Sequence, residues 1–300
     1  MRIEDFQQGQ GLSVVSASGA LYAPAADTAL LGELPWVLPL EHFSFSSLQM
    51  LELCPRQWKQ RYILGIKEPP AQALVLGRAT HGGIEFGLDT KMVTQTDPAL
   101  DLVLSYYHDA VWPQLVDEMG GSGEILWDDK PDLVRDKGAQ MVTAYHPHIS
   151  RLEPEAVEYG FSLDVGAPIP VKGWIDLVQR NGRPSIDFKT AKARRSDVKP
   201  EWRVQARIYQ LAVPRPVDFH VITKTVEPAV VTGLDAEGLL VPHSELIDQE
   251  TKRRLRQALD DANRYYATYG PDEEWPARGI HHDWRCSWCA YQKDCPAWVS

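Results

Sequence analysis

The residues best suited to chemistry fall in the run from Val171 to Thr190, which carries Asp176, Asp187 and Lys189. Asn181-Gly182 reads as a tight hairpin turn, so Asp176 on one strand and Asp187 on the next can stand side by side. Strand alternation sends Asp187 and Lys189 to one face and the apolar Phe188 to the other. Two close carboxylates repel unless a cation lies between them, and hard oxygen ligands suit Mg²⁺ or Mn²⁺. Such an ion could polarise a phosphoryl oxygen and acidify a water molecule, with Lys189 orienting that water or steadying the developing charge. The chemistry indicated is phosphodiester hydrolysis. Asp-x-Lys by itself, however, occurs by chance in many proteins.

Further along, Gln205 and Tyr209 are four apart and share a helix face, among Arg203 and Arg207. An amide beside a phenol can hydrogen-bond DNA phosphates or bases, and the arginines add positive charge. Upstream, Gly77, His81 and Glu85 also lie at four-residue spacing. The four cysteines form a separate group: Cys54 stands alone, and Cys286, Cys289 and Cys295 close the chain. Three clustered thiols plus one distant thiol account for every cysteine, as expected if all bind one centre. Thiolate ligands suit either a [4Fe-4S] cluster or tetrahedral zinc, and spacing does not choose between them. His281 and His282 are near enough to be considered, but four cysteines already fill such a site.

These residues need elements to hold them. Ser44 caps one short helix and Pro55 opens another, which puts Cys54 at the junction. Helical patterns span about 73–88, 98–119 and 131–151. The period then shortens, and strands are expected over 157–165, 170–179 and 184–189. A helix over about 200–212, strands near 217–223 and 227–232, and a helix over about 243–268 follow. The expected fold class is α/β, with a mixed sheet and a helical insertion ahead of the strands. Residues 1–40 read as an irregular extension. Residues 41–300 read as one functional domain: a helical part at 44–152, a core at 153–235, and a final helix and Cys-rich tail at 243–300.

Composition narrows the function classes. The 300 residues are 44% hydrophobic and 24% charged, which excludes a disordered or low-complexity chain. A net charge of −10 argues against a protein that coats nucleic acid by bulk electrostatics. The charge is uneven, though. Val171 to Lys224 carries twelve Lys and Arg against five acids, a local +7 that leaves −17 elsewhere. That is the pattern of a local polyanion site or of a solvated basic face. No window reaches the roughly 18 apolar residues of a membrane span, and the first residues lack a signal-peptide pattern, so an intracellular, cytoplasmic protein is expected.

Taken together, Gly173-Trp-Ile-Asp176, Ile186-Asp-Phe-Lys-Thr190, Gln205-x-x-x-Tyr209 and Gly77-x-x-x-His81 resemble the RecB-type branch of the PD-(D/E)XK nuclease superfamily over roughly residues 44–298. Ile175 stands where the superfamily's name has Pro, a departure that branch tolerates. The resemblance implies a restriction-endonuclease-like αβββαβ core. It implies metal ligation by His81, Asp176, Asp187 and the Phe188 backbone carbonyl, a catalytic Lys189, and an accessory motif of Gln205 and Tyr209. Glu158 matches an acid that supports such sites. The cysteine order resembles that of CRISPR-associated RecB-like exonucleases, which implies a [4Fe-4S] cluster on Cys54, Cys286, Cys289 and Cys295, with Trp284, Trp288 and Trp298 packed about it and zinc as the less favoured occupant. The implied activity is a DNA exonuclease on single strands or duplex ends. A phage-encoded enzyme, a homo-oligomer, and recombination or CRISPR adaptation partners are all compatible with that branch. The alternative is a catalytically silent DNA-end-binding adaptor.

Overall fold

The computed structural model describes residues 34–277 and 286–298. Most of the expected N-terminal extension, together with His281, His282 and Trp284 and the side chain of Trp288, lies outside the described residues. The chain divides into two units, residues 1–35 and 36–300. All that follows concerns the second.

Its helices open with α1 (Phe45–Leu53) and α2 (Pro55–Tyr62). Ser44 and Ser47 exchange side-chain and backbone hydrogen bonds in a capping box, and Pro55 occupies the first turn of α2, where its missing N–H costs nothing. The long α3 (Gln72–Thr94) ends where Gln95 turns left-handed at φ 58°. The stretch expected as one helix over 98–119 is α4 (Leu100–Tyr106), a π turn (Tyr107–Val111) and α5 (Trp112–Glu118). Pro113 explains the interruption. It cannot donate to the carbonyl one turn back and would crowd it, and a widened turn relieves both problems. After α6 (Pro131–Ile149) come β1 (Pro154–Leu163), β2 (Val171–Gln179) and β3 (Ser185–Ala191), then α7 (Pro200–Ala212), β4 (Val217–Thr223), the two-residue β5 (Val230–Val231) and α8 (Glu245–Tyr269). Single 3₁₀ turns at Cys286–Trp288 and Gln292–Asp294 carry the tail.

The sheet order is β1-β2-β3-β4-β5. Only β3 and β4 run parallel, joined by the α7 crossover, so the sheet is mixed. Helices cover both faces. On one face Leu177, Ile186, Phe188 and Ile222 pack under α3 and α6; on the other Ile175, Val178, Phe219 and Val221 pack under Trp202, Ala206 and Tyr209 of α7. A separate core joins α1, α2 and α8 around Trp58, which is stacked between Phe43 and Trp275.

Candidate active site

The site forms where β2 changes face. Alternation would put Ile175 and Leu177 on one side of the sheet, yet they pack on opposite sides. The cause lies in β1. The β1–β2 register pairs Val157 with Leu177 and Tyr159 with Ile175, straddling Glu158 and Asp176, and Glu158 is left-handed at φ 48°. A side chain other than glycine held there costs about 1–3 kcal/mol, a strain that must be supported by its surroundings. The strand twists at this point and turns Asp176 into a cleft. The pairing of Leu177 with Ile186 makes Asp176 and Asp187 the next opposed pair along β2 and β3. Asp176 Oδ2 accepts the Phe188 N–H at 2.6 Å and lies 3.8 Å from His81 Nδ1.

Asp187, only 1% exposed, belongs to a closed ring of four side chains. Lys189 Nζ lies 2.5 Å from Asp187 Oδ2 and donates to Gln205 Oε1 at 2.8 Å. Gln205 Nε2 donates to the Tyr209 hydroxyl at 2.6 Å, and that hydroxyl donates to Asp187 Oδ1 at 3.2 Å. Strand and helix periodicity each supply two members: residues i and i+2 of β3, and i and i+4 of α7. Arg203 and Arg207 lie elsewhere on α7. Two residues of helix are about 200° of rotation, so Arg207 points away from Gln205. Arg203 Nε donates instead to the Val198 carbonyl at 3.2 Å, and Arg207 Nε is buried without a hydrogen-bond partner.

The cleft of about 720 Å³ takes its polar wall from Gly77, His81, Glu85 and Asp89 of α3, together with Glu158, Asp176 and Lys189. Burial holds the His81 imidazole down at about 4, with Asp187 opposing that shift, although a quarter of the side chain still reaches solvent at the cleft floor. Burial and then the nearby Asp187 push Asp176 well above the usual carboxylate range. Glu85 is pushed up to about 8, by burial first and by Glu158 second, and the two carboxyls share a hydrogen bond. Burial also raises Asp89. Glu85 was legible only as the next step of the His81 face; Asp89 was not singled out in the sequence, and nothing in the local sequence marks Glu158 as left-handed.

Among the described residues no three His, Cys, Asp or Glu side chains surround one point. The donor set nevertheless fits a hard divalent ion. Asp187 Oδ2 is buried with no hydrogen-bond donor beyond its ion-pair contact to Lys189, and Asp176 retains an acceptor oxygen. All four cysteines are free and half-buried. The Cys289 thiol is raised by burial, and Cys54 and Cys295 lie near enough to raise it further. The tail is tied to the α2 region: Arg56 Nη2 donates to the Asp294 carbonyl at 3.2 Å, and the Tyr291 hydroxyl to the Ile66 carbonyl at 2.7 Å.

The family model described as the PD-(D/E)XK nuclease superfamily matches residues 42–296. The chain belongs to that superfamily. Among solved structures, this nuclease-superfamily chain is similar to a "putative exonuclease" of Eubacterium rectale, with a TM-score of 0.42 and 11% identity over 75% of this chain and 82% of that one. It is also similar to SSO0001, with a TM-score of 0.34 and 14% identity over 85% and 96% of the two chains. A 112-residue segment is 34% identical to the alpha subunit of dimethylsulfide dehydrogenase from Rhodovulum sulfidophilum, covering 37% of this chain and 12% of that protein. Among the described residues no helix is long and apolar enough to cross a membrane.

Proposed function

We propose that this superfamily member is a Mg²⁺- or Mn²⁺-dependent DNA exonuclease of the RecB-like branch, acting on single strands or duplex ends. The observation that carries the reading is the closed ring of Lys189, Gln205, Tyr209 and Asp187 set against Asp176 and His81. His81, Asp176, Asp187 and the Phe188 carbonyl would hold the ion, which when bound supplies Lewis-acid polarisation of the phosphoryl oxygen and neutralises charge there. The protein's own part is orientation. Gln205 and Asp187 fix the Lys189 amino group at the cleft floor, where it can direct the attacking water and the developing negative charge. Tyr209 holds both Asp187 and Gln205 in place, so the accessory helix controls the geometry of the strand residues.

Asp187→Asn and Lys189→Met should each lower cleavage of end-labelled DNA in Mn²⁺ by about 10³-fold or more while the circular dichroism spectrum stays unchanged. Either variant digesting DNA at the wild-type rate refutes the assignment. Wild-type protein that binds DNA ends in every divalent ion but releases no nucleotides would instead mark a silent adaptor.

The second part of the proposal is a [4Fe-4S] cluster on Cys54, Cys286, Cys289 and Cys295. It is supported by four free thiols in one chain, by the closeness of Cys54 and Cys295 to the Cys289 thiol that they help to raise, and by the ties between the tail and the α2 region. Protein purified without oxygen should be brown and contain iron and acid-labile sulfide. Colourless protein containing zinc would identify the other occupant.

A further inference from the structure

The cleft also has aromatic lining that the acid and lysine cluster does not use. The same cleft is lined by Phe86, which follows Glu85 on α3, and by Tyr106, the last residue of α4. Their rings are stacked nearly parallel, with centroids 3.8 Å apart and planes 11° apart. Tyr106 nevertheless remains 42% exposed. The next residue, Tyr107, is fully buried and donates its hydroxyl to the Arg135 carbonyl at 3.0 Å. A π turn starts at Tyr107, and Tyr106 just before it lines the cavity.

A substrate strand whose phosphate lies at Asp176 and Lys189 must put its neighbouring sugar and base somewhere in the same cleft. The polar wall is rich in carboxyls, with Glu85, Asp89 and Glu158 along it. An uncharged, planar nucleobase gains little there, whereas a stack of two parallel rings is a surface that a third flat ring continues. Base–aromatic stacking is tolerant of sequence, as a nuclease that degrades arbitrary DNA requires. Resting on the nuclease reading above, we propose that Tyr106 is the stacking platform for a nucleobase next to the scissile phosphate, with Phe86 as a positioning residue beneath it.

The test uses the full chain with single-stranded oligonucleotides carrying 2-aminopurine, or an abasic residue, at each of the first three positions from either end in turn. In Ca²⁺ in place of Mn²⁺, wild-type protein should quench 2-aminopurine at one of these positions. Tyr106→Leu should remove that quenching and weaken binding of the base-containing end about tenfold, leaving the abasic end unchanged. Tyr106→Trp should retain both properties. In Mn²⁺, Phe86→Leu should raise KM for base-containing DNA with little change in kcat. Unchanged quenching in Tyr106→Leu overturns the proposal, as does an equal loss on base-containing and abasic DNA in both Tyr106 variants. Wild-type protein that cleaves DNA without distinguishing base from abasic ends sinks the platform and leaves the nuclease reading standing. Quenching without any cleavage does the reverse.

Discussion

At the scale of single residues the site is governed by what each side chain is left to bond with. Gln205 spans Lys189 and Tyr209 with its two amide ends. Removing it frees Lys189 to rotate on its four-carbon stem and leaves the Tyr209 hydroxyl without its donor. Gln205→Ala should therefore reduce kcat by roughly 10-fold to 100-fold while DNA affinity in Ca²⁺ stays near wild type. An equal fall in affinity would show that Gln205 grips DNA rather than Lys189. Glu85 provides a pH signature. Its pKa in the folded state is raised from 4.5 to about 8, so the folded chain holds a proton that the unfolded chain releases. Stability should then decline as pH rises from about 4.5 to 8, because the native state binds more protons across that window. Discounted for partial exposure, the penalty is on the order of 1–2 kcal/mol. In metal-free buffer at pH 8.5, Glu85→Gln should raise Tm by about 3–6 °C, and the gap should close near pH 4.5. Parallel melting curves for the two proteins across that range would contradict this.

At the scale of elements, what was legible followed from strong local signals. The helix expected over about 200–212 is α7, with Pro200 in its first turn, and Asn181-Gly182, both left-handed, form the turn between β2 and β3. What was not legible depends on tertiary context. A left-handed Glu158 carries no sequence mark, and the split of residues 98–119 depends on how a π turn absorbs Pro113. The two-residue β5 pairs only along Val221 and Ile222, so its shortness reflects how little of the β4 edge it meets. The closeness of α3 to its neighbours belongs to this scale too. A Cβ added at Gly83 would come within 2.7 Å of Val142 Cγ2 and 3.1 Å of Tyr107. Gly83→Ala should push α3 away from α6 and destabilise the fold by about 1–3 kcal/mol despite the better helix propensity of alanine. Adding Val142→Ala should recover part of that loss. Denaturant melts that show Gly83→Ala to be neutral would mean that α3 can shift without cost.

At the scale of the whole molecule, the link between the two ends of the domain was legible only as a count of cysteines. The structure gives it a setting: the tail hydrogen-bonds the α2 region, and α1, α2 and α8 share a core separate from the two that sandwich the sheet. If the four thiols bind one cluster, its ligation energy is folding energy for that end of the molecule first, since Cys54 joins α1 to α2. The ring of Lys189, Gln205, Tyr209 and Asp187 lies on β3 and α7. Cys54→Ser should therefore bleach the visible absorption, lower Tm, and open the tail and the α1–α2 segment to protease before the sheet is cut. Asp187→Asn should keep its colour and its protease resistance. The two lesions should separate cleanly, one removing the staple and the other the chemistry. A Cys54→Ser protein that retains iron, full resistance to proteolysis and wild-type Tm would show that the early cysteine is not a ligand and that the tail is held without it, by contacts such as those of Arg56 and Tyr291.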